Sequence, residues 1–562
     1  MRGVILVLVL GVLFGIPMQA QKFEESRNPA YMASPWVPLD SWVYPALEKL
    51  TALGYVQTSF LSLRPWTRME CARQIEEVDE LLETSRSQDD DVKRILADLR
   101  NEFAPEIARL NGERNVEASV ESAYTRFTGI AGPALSDDFH FGRTVVNDYG
   151  RPNRRGANEI VGLSAFANAG PLAVYGRAEY QHAPGAPAYS STVVEAISKS
   201  DFRLYEPPSA IDPYNRVRLV EGYAALAFSD YQLSFGRQSL WWGPEKGGPL
   251  LFSNNAEPIT MLRLSRVKPQ KLPFFLSWLG PVRGEFFIGQ LGGHQFLHTQ
   301  TADYPQTPGV TFSPQPFIHG QKLSFHPTPN FEFSISRTTI FGGPGFPFTI
   351  SRFLDSLFSR GNSFGSSDPG DRRSGVDFTF RIPKASGLTL YLDAFAEDEI
   401  SPIAYPDRSA ILAGLYLPRV PGTTKWDFRL EGGYTDLHGF LHFPGFFYAN
   451  VRYLEGYTNR GYLLGSWIGR QGIGMQAWTN YWLSPRNSVQ FMWRHNQVDR
   501  QFLSGGNQQD FAVSATWTVR QNIDISPKLQ IERWNFPLLS AGPERNVSGS
   551  VQFTYRPKRG AK

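Results

Sequence analysis

The chain has little cysteine, little net charge and, beyond its first residues, no long apolar run. Cys71 is the one cysteine among 562 residues, which excludes an intramolecular disulfide. The formal net charge is only +3, so the composition gives no indication of a nucleic-acid partner. Aromatic residues are frequent, at 14% of the chain. Because Tyr, Phe and Trp favour strands and membrane interfaces, this composition indicates β-structure, a membrane location, or both.

Residues 1–20 predict a signal peptide. Arg2 supplies a positive charge, Val4–Ile16 is an apolar stretch, and Ala20 is a small residue at a plausible cleavage point. The apolar stretch is shorter than a membrane helix usually is, which disfavours an uncleaved anchor. No later apolar run reaches that length. We therefore expect an exported protein without a helical membrane span.

Residues 21–114 predict a small helical domain. Val43, Leu47 and Leu50 recur at helical spacing. The sequence from Thr67 to Glu70 matches a capping box, in which each side chain accepts a hydrogen bond from the other residue's backbone N–H. We expect this domain to lie in the periplasm.

Residues 115–562 change to a period of two, which predicts strands. In Val376–Ile382 and Leu388–Ala394, apolar residues alternate with polar or charged ones. Many such segments are about ten residues long, the length that a tilted strand needs to cross a bilayer. Short and long links alternate, as they do in outer-membrane barrels. The pattern predicts a mainly β fold, an antiparallel outer-membrane β-barrel of about 18 strands, from Val116–Thr125 to Asn546–Arg556.

Three segments fit this count poorly. Phe139–Asn147 resembles a strand but has no partner in the count. The link Lys268–Pro281 is long for a periplasmic turn. Leu437–Gly472 is long enough either to hide a further hairpin or to fold into the lumen.

No residue pattern predicts catalysis or a cofactor. Gly361-Asn362-Ser363-Phe364-Gly365 matches the G-x-S-x-G pattern of serine hydrolases but lacks the strand–turn–helix context that the pattern requires. His294 and His298 lie four residues apart without an evident helix, which disfavours a metal pair. Asp393 and Glu397 share a strand face, where lumen charges paired with arginine are expected. We therefore expect no metal, no cofactor and no enzymatic activity.

The segment Gly236–Asn255 has the most distinctive chemistry. Its glycines and prolines oppose regular structure, and its amide, guanidinium and indole groups suit sugar hydroxyls and ring faces. Two alternatives stay open for it: its tryptophans belong to an aromatic girdle, or the segment is a plug held by internal hydrogen bonds. The candidate glycan-binding residues here are Arg237, Gln238, Trp241, Trp242, Asn254 and Asn255.

Several segments together resemble the Wzi-type capsule assembly family. The resemblance implies an outer-membrane barrel of eighteen strands with a periplasmic helical bundle, which acts as a lectin for capsular polysaccharide. It adds Asn459 and Arg460 to the candidate glycan-binding residues. The segments that carry the resemblance are Asn147–Pro152, Leu219–Tyr223, Gly236–Pro244, Leu251–Ala256, Tyr457–Gly461 and Gly465–Gly469.

The sequence therefore predicts an outer-membrane protein that binds capsular or other surface polysaccharide and assists its assembly or attachment. Expected partners are surface polysaccharide, outer-membrane lipids, and a periplasmic or export-machinery protein that contacts the helical domain; no nucleic acid is expected. The alternatives are a diffusion channel and a barrel hydrolase that uses Ser363. Whether Gly236–Asn255 points outward or into the lumen stays open.

Overall fold

A computed structural model describes most of the chain, in ranges separated by short gaps. The described residues are 27–85, 89–299, 302–305, 307, 309–346, 348–358, 370–399, 401–436, 444–520 and 522–559. Residues 1–20, for which a signal peptide is predicted, and the Gly361–Gly365 motif lie outside them.

Three helices precede the strands: α1 (Val43–Leu53), α2 (Arg68–Ser85) and α3 (Asp90–Leu110). The capping box forms at the start of α2, where Glu70 N donates to Thr67 Oγ1 (3.1 Å) and Thr67 N donates to Glu70 Oε2 (2.6 Å). The three helices share a core of buried apolar side chains, among them Leu47 and Leu99. None of the helices in the described ranges is long and apolar enough to cross a membrane.

Within the described part of the chain, eighteen antiparallel strands form a closed barrel, which confirms the predicted fold class. β1 pairs with the second strand on one side and with the last strand on the other, so no edge is left open. The strands are β1 (Val116–Ile130), β2 (Gly156–Ala169), β3 (Leu172–Ala183), β4 (Tyr214–Phe228), β5 (Tyr231–Gln238), β6 (Ile259–Arg266), β7 (Pro281–Gln290), β8 (Phe317–Thr328), β9 (Phe331–Phe341), β10 (Asp371–Ile382), β11 (Leu388–Glu397), β12 (Ser409–Leu417), β13 (Trp426–Tyr434), β14 (Gly472–Ser484), β15 (Asn487–Val498), β16 (Gly506–Arg520), β17 (Ile523–Asn535) and β18 (Glu544–Tyr555).

The predicted alternation of short and long links gives the barrel two different ends. The helices pack against the end with the short links, which we call the helix end: Asp230 N donates to Ala30 O (2.9 Å), and Arg419 pairs with Asp89 (2.5 Å). Long links connect the strands at the opposite end, which we call the loop end. Two of these links carry helices, α4 (Ser191–Ser200) and α5 (Ile350–Phe358).

The alternation along each strand separates an apolar outer surface from a charged lumen. On β10, Phe380 is exposed on the outside, whereas Asp377 on the opposite face is buried in the lumen, beside Lys322. The guanidinium of Arg263 and the carboxylate of Glu285 form a buried ion pair between β6 and β7. This charged lining provides the partners for the segments that fill the lumen.

None of the three segments that fitted the strand count poorly adds a full strand to the barrel. Phe139–Asn147 belongs to a loop-end link whose pairing is limited to Ser136–Asp137 with Gly142–Arg143. Lys268–Pro281 contains two residues, Gln270–Lys271, that pair with the start of β7, and a 3₁₀ helix, Phe274–Leu279, with exposed aromatic side chains. The described part of Leu437–Gly472 folds into the lumen.

Candidate functional site

The Gly236–Asn255 segment leaves β5 at the loop end and turns into the lumen, which answers the question of its direction. Trp241 and Trp242 pair in antiparallel fashion with Arg64 and Leu63, which lie at the helix end. The segment therefore extends far into the barrel. Residues 239–258 and 444–471 together are called the plug below.

The two plug segments bind one another through backbone and hydroxyl groups. Ser253 N donates to Leu464 O (2.8 Å), and Ser253 Oγ donates to Gly465 O (2.7 Å). Tyr448 Oη donates to Leu250 O (2.7 Å). These contacts explain why two segments distant in sequence occupy one lumen with only short, two-residue strands, at Trp241–Trp242, Thr458–Asn459 and Tyr462–Leu463.

Carboxylates of the barrel wall hold the backbone of the plug. Glu431 on β13 accepts hydrogen bonds from Lys246 N (2.7 Å) and Gly247 N (2.9 Å). Asp393 on β11 accepts one from Leu250 N (2.8 Å). Because a buried, unpaired N–H is costly, these contacts stabilise an irregular segment inside the protein.

Both tryptophans of the segment are buried and use their N–H groups internally. Trp242 Nε1 donates to Glu285 Oε1 (2.9 Å), and its ring packs edge-to-face on Phe252 and Phe287. Trp241 Nε1 donates to Glu245 O (3.1 Å). The Trp242 ring is thus packed against other aromatic rings and the Trp241 side chain is buried, and a role of either in sugar stacking stays a prediction.

The amides of the segment also have internal partners. Gln238 Oε1 accepts from Ser234 Oγ (2.7 Å) and Asn255 Nδ2 donates to Asp138, whereas Asn254 is held through its backbone carbonyl, which accepts from Tyr149 N (2.7 Å). Asn459 is buried as well, and its Nδ2 donates to Glu257 O (2.9 Å). Six of the eight predicted site residues therefore lie within the protein interior: Gln238, Trp241, Trp242, Asn254, Asn255 and Asn459.

The other two predicted residues meet at the loop end of the barrel. Arg237 Nη2 lies 3.0 Å from Glu257 Oε2, and Arg460 Nε lies 3.2 Å from the same oxygen. A third arginine joins them, because Arg218 Nη2 lies 3.1 Å from Glu257 Oε2. We call Arg218, Arg237, Glu257 and Arg460 the rim cluster.

The backbone around Arg460 places its side chain at this position. Arg460 has a left-handed backbone (φ +54°), and its N–H donates to Gly292 O (2.7 Å). Gly292 N in turn donates to Asn459 Oδ1 (2.9 Å). The Cβ of any other residue at Gly293 would lie 2.7 Å from the Cα of Arg460, so glycine is required for this close approach.

Sequence reasoning missed half of the rim cluster. Arg218 directly precedes the Leu219–Tyr223 segment and Glu257 directly follows Ala256, so both border segments that the resemblance singled out. Nothing in their spacing indicates convergence, because Arg218 lies on β4, Glu257 lies on the link after β5, and Arg460 follows Glu257 by 203 positions in the sequence.

A second polar site links the loop-end segments to each other. The His140 ring lies between Asp137 Oδ2 (2.7 Å from Nδ1) and Asp201 Oδ2 (2.8 Å from Nε2). Asp201 also pairs with Arg470 of the plug (2.5 Å). Although burial disfavours the imidazolium, the two carboxylates raise the pKa of His140 to about 9.

Replacement of His140 is expected to remove a pH-dependent part of the stability. The folded-state pKa of about 9 lies above the ordinary value of 6.5, so the charged ring stabilises the fold fully below pH 6.5. That stabilisation, up to about 3 kcal/mol, is lost as the pH rises toward 9. Thermal unfolding in detergent should show this decline for the native protein and not for His140→Gln. Parallel pH profiles of the two proteins would contradict the expectation.

The candidate catalytic and metal residues do not form a reactive set. His294 Nε2 contacts Thr458 O (3.0 Å), whereas His298 pairs with Asp303 (2.6 Å). Glu397 pairs with Arg373 (3.0 Å), as expected of a lumen charge, but Asp393 binds the plug instead of an arginine. The described ranges contain no group of three His, Cys, Asp or Glu residues arranged to hold a metal ion.

The fold and the filled lumen define the protein as a plugged β-barrel of the outer-membrane type. The chain belongs to the family described as "Capsule assembly protein Wzi", whose sequence profile matches residues 126–548. This finding confirms the resemblance inferred from the sequence.

Two of the known proteins that are similar to the chain come from Escherichia coli and Klebsiella pneumoniae. A solved structure of Escherichia coli Wzi, described as an outer membrane protein involved in group 1 capsule assembly and a carbohydrate-binding β-barrel, superposes with a TM-score of 0.66. It is 17% identical and covers 94% of this chain and 100% of its own, which supports the fold. An uncharacterized 55.8 kDa protein in the cps region of Klebsiella pneumoniae is 26% identical over 221 residues. That match spans 38% of this chain and 39% of the relative.

Proposed function

We propose that this protein resides in the outer membrane, binds capsular or other surface polysaccharide, and helps to assemble it or attach it to the cell. Membership of the capsule assembly family supports this function. The similar Escherichia coli protein is described as carbohydrate-binding and involved in capsule assembly, which agrees with it.

The filled lumen is the observation that favours a binding protein over a diffusion channel. The plug is bonded to the wall by Glu431 and Asp393, and residues 61–64 approach it from the helix end. Barrels of 16–18 strands conduct when their lumen is open. A lumen occupied from both ends leaves the outer face of the loop end as the accessible binding surface.

The rim cluster is the part of that surface best suited to a glycan. Arginine forks donate several hydrogen bonds in fixed geometry, which suits polar sugar substituents. One such contact is weak, but a repeating polymer presents the same group to many protein copies, so the contacts add through avidity. The buried predicted residues, Trp242 among them, then act as support for this surface.

We further propose that the loop end faces outward and that the helices lie in the periplasm. Short links are typical of the periplasmic end of such barrels, and the helices pack at that end. A periplasmic or export-machinery protein that contacts α1–α3 would then couple this barrel to polymer export. A non-enzymatic role agrees with membership of the capsule assembly family.

Deletion of the gene is expected to release surface polysaccharide from the cell. If the protein attaches exported polymer, a deletion strain should still export the polymer but should retain less of it on its surface. The measurement is the ratio of cell-bound to medium polysaccharide, with the complemented strain as control. Unchanged retention of every surface glycan in the deletion strain would contradict the proposal.

A further inference from the structure

We infer that the rim cluster recognises an acidic group, a carboxylate or a phosphate, so that the bound polysaccharide is an anionic polymer. The inference rests on the proposed function and makes its ligand more specific. It depends on the charge balance, accessibility and surroundings of four side chains.

The cluster carries more positive charge than its own carboxylate balances. The guanidinium groups of Arg218, Arg237 and Arg460 all lie within 3.2 Å of one oxygen, Glu257 Oε2. In the described ranges, no other carboxylate lies within 4.0 Å of any of the three guanidinium groups. Three positive charges facing one negative charge leave an excess of two. Mutual repulsion of these arginines would be relieved by a second anion.

The three arginines form a gradient from the interior to the solvent. The side chain of Arg218 is 7% exposed, that of Arg237 17%, and that of Arg460 55%. Nε of Arg218 is buried and has no hydrogen-bond partner. An anion from solvent can therefore contact Arg460 first. The charges of the less exposed Arg218 and Arg237 add to the positive potential that this anion meets. Arginine prefers carboxylate and phosphate because its planar fork donates two parallel hydrogen bonds to them.

Two partly exposed tyrosines complete the cluster with flat apolar faces. Tyr462 follows Arg460 by two residues in the chain, and the guanidinium of Arg143 lies 4.2 Å from the centre of its ring. Tyr214 lies on β4, the same strand as Arg218, four residues before it. Ring faces next to guanidinium groups suit a charged sugar, whose ring packs on tyrosine while its acidic group pairs with arginine.

A purely structural role for the cluster predicts a different experimental result. Arg237 also donates to Leu219 O (2.8 Å), and Asn459 donates to Glu257 O, so the cluster joins β4, β5 and the plug. If this were its whole role, a substitution would lower stability without changing which polymers bind. The test therefore measures ligand selectivity as well as affinity.

The experiment uses the full-length protein in detergent and an array of bacterial surface polysaccharides. Polymers bound by the native protein are converted to neutral forms, either by carboxyl reduction to alcohols or by removal of phosphate, and measured again. We expect the bound polymers to be acidic and their neutral forms to bind at least tenfold more weakly. The two treatments identify whether carboxylate or phosphate supplies the charge. Salt should weaken binding of the acidic forms only.

The matched variants are Arg460→Gln and Arg500→Gln. Both residues are exposed and lie on loop-end links, and both substitutions remove one positive charge, but Arg500 lies outside the rim cluster. We expect Arg460→Gln to weaken binding of the acidic polymer about tenfold, which corresponds to the loss of one charge-assisted hydrogen bond. Arg500→Gln should leave the affinity unchanged. Glu257→Gln, which removes the competing carboxylate, should bind at least as tightly as the native protein.

Each outcome decides one of the two proposals. If neutral polymers bind as tightly as acidic ones, or if both arginine variants behave alike, the acidic-ligand inference is wrong and polysaccharide binding still stands. If the native protein binds no polymer in the array, polysaccharide binding itself fails. A heat-dependent shift in gel mobility like that of the native barrel confirms that each variant is folded.

Discussion

In a planar lipid bilayer, the purified native protein is expected to show no steady ion conductance. The lumen is filled by the plug, whose backbone is bonded to wall residues such as Glu431 and Asp393. The helix end is narrowed further by Leu63–Arg64, which pairs with Trp241–Trp242. An eighteen-stranded barrel without such a filling is wide enough for an aqueous channel.

Replacement of the plug by short linkers is expected to open that channel. A variant with Gly/Ser linkers in place of 241–256 and 445–470 keeps all eighteen strands and the charged wall. It should conduct ions in clear single-channel steps. A variant with only 445–470 replaced separates the contributions of the two plug segments. Steady conductance of the native protein comparable to that of the double replacement would contradict a plugged lumen.

Removal of Glu285 is expected to produce the largest loss of stability among single substitutions in the lumen. Its carboxylate accepts hydrogen bonds from Arg263 Nε (2.8 Å) and Trp242 Nε1 (2.9 Å), and both residues of the ion pair are fully buried. Glu285→Ala leaves a buried guanidinium without its counter-charge. Loss of one partner of such a pair costs about 3–5 kcal/mol.

Urea unfolding of the protein in detergent measures this loss. Glu195→Ala is the matched control, because Glu195 is an exposed carboxylate on α4 and its removal should change the free energy of unfolding by less than about 0.5 kcal/mol. The free energy of unfolding of Glu285→Gln should lie between those of Glu285→Ala and Glu195→Ala. Its amide oxygen still accepts a hydrogen bond but carries no charge to balance Arg263. Equal stability of Glu285→Ala and Glu195→Ala would show that water, not the carboxylate, compensates Arg263.

The barrel was predictable because its strands obey a local rule. Alternation of apolar and polar residues along a strand predicts that Phe380 lies on the outer face and Asp377 on the lumen face. Alternation of short and long links predicts the number of strands. The capping box from Thr67 to Glu70 was equally local, since four consecutive residues contain all of its hydrogen bonds. Both features therefore formed where the sequence indicated.

The site was less predictable because it depends on contacts between distant segments. The composition of Gly236–Asn255 indicated a special role, but whether Trp242 faces a sugar or Glu285 depends on pairing with Leu63, which no local pattern encodes. The rim cluster is similar: Arg218, Glu257 and Arg460 converge only after the barrel closes and the plug enters it. The sequence singled out these segments as candidates and left their partners undetermined.

Binding of the purified native protein to an array of bacterial surface polysaccharides tests the central claim most directly. We predict saturable binding to at least one polymer, with no requirement for metal or cofactor. Absence of binding to every polymer, by protein that shows the heat-dependent mobility of a folded barrel, would contradict the account.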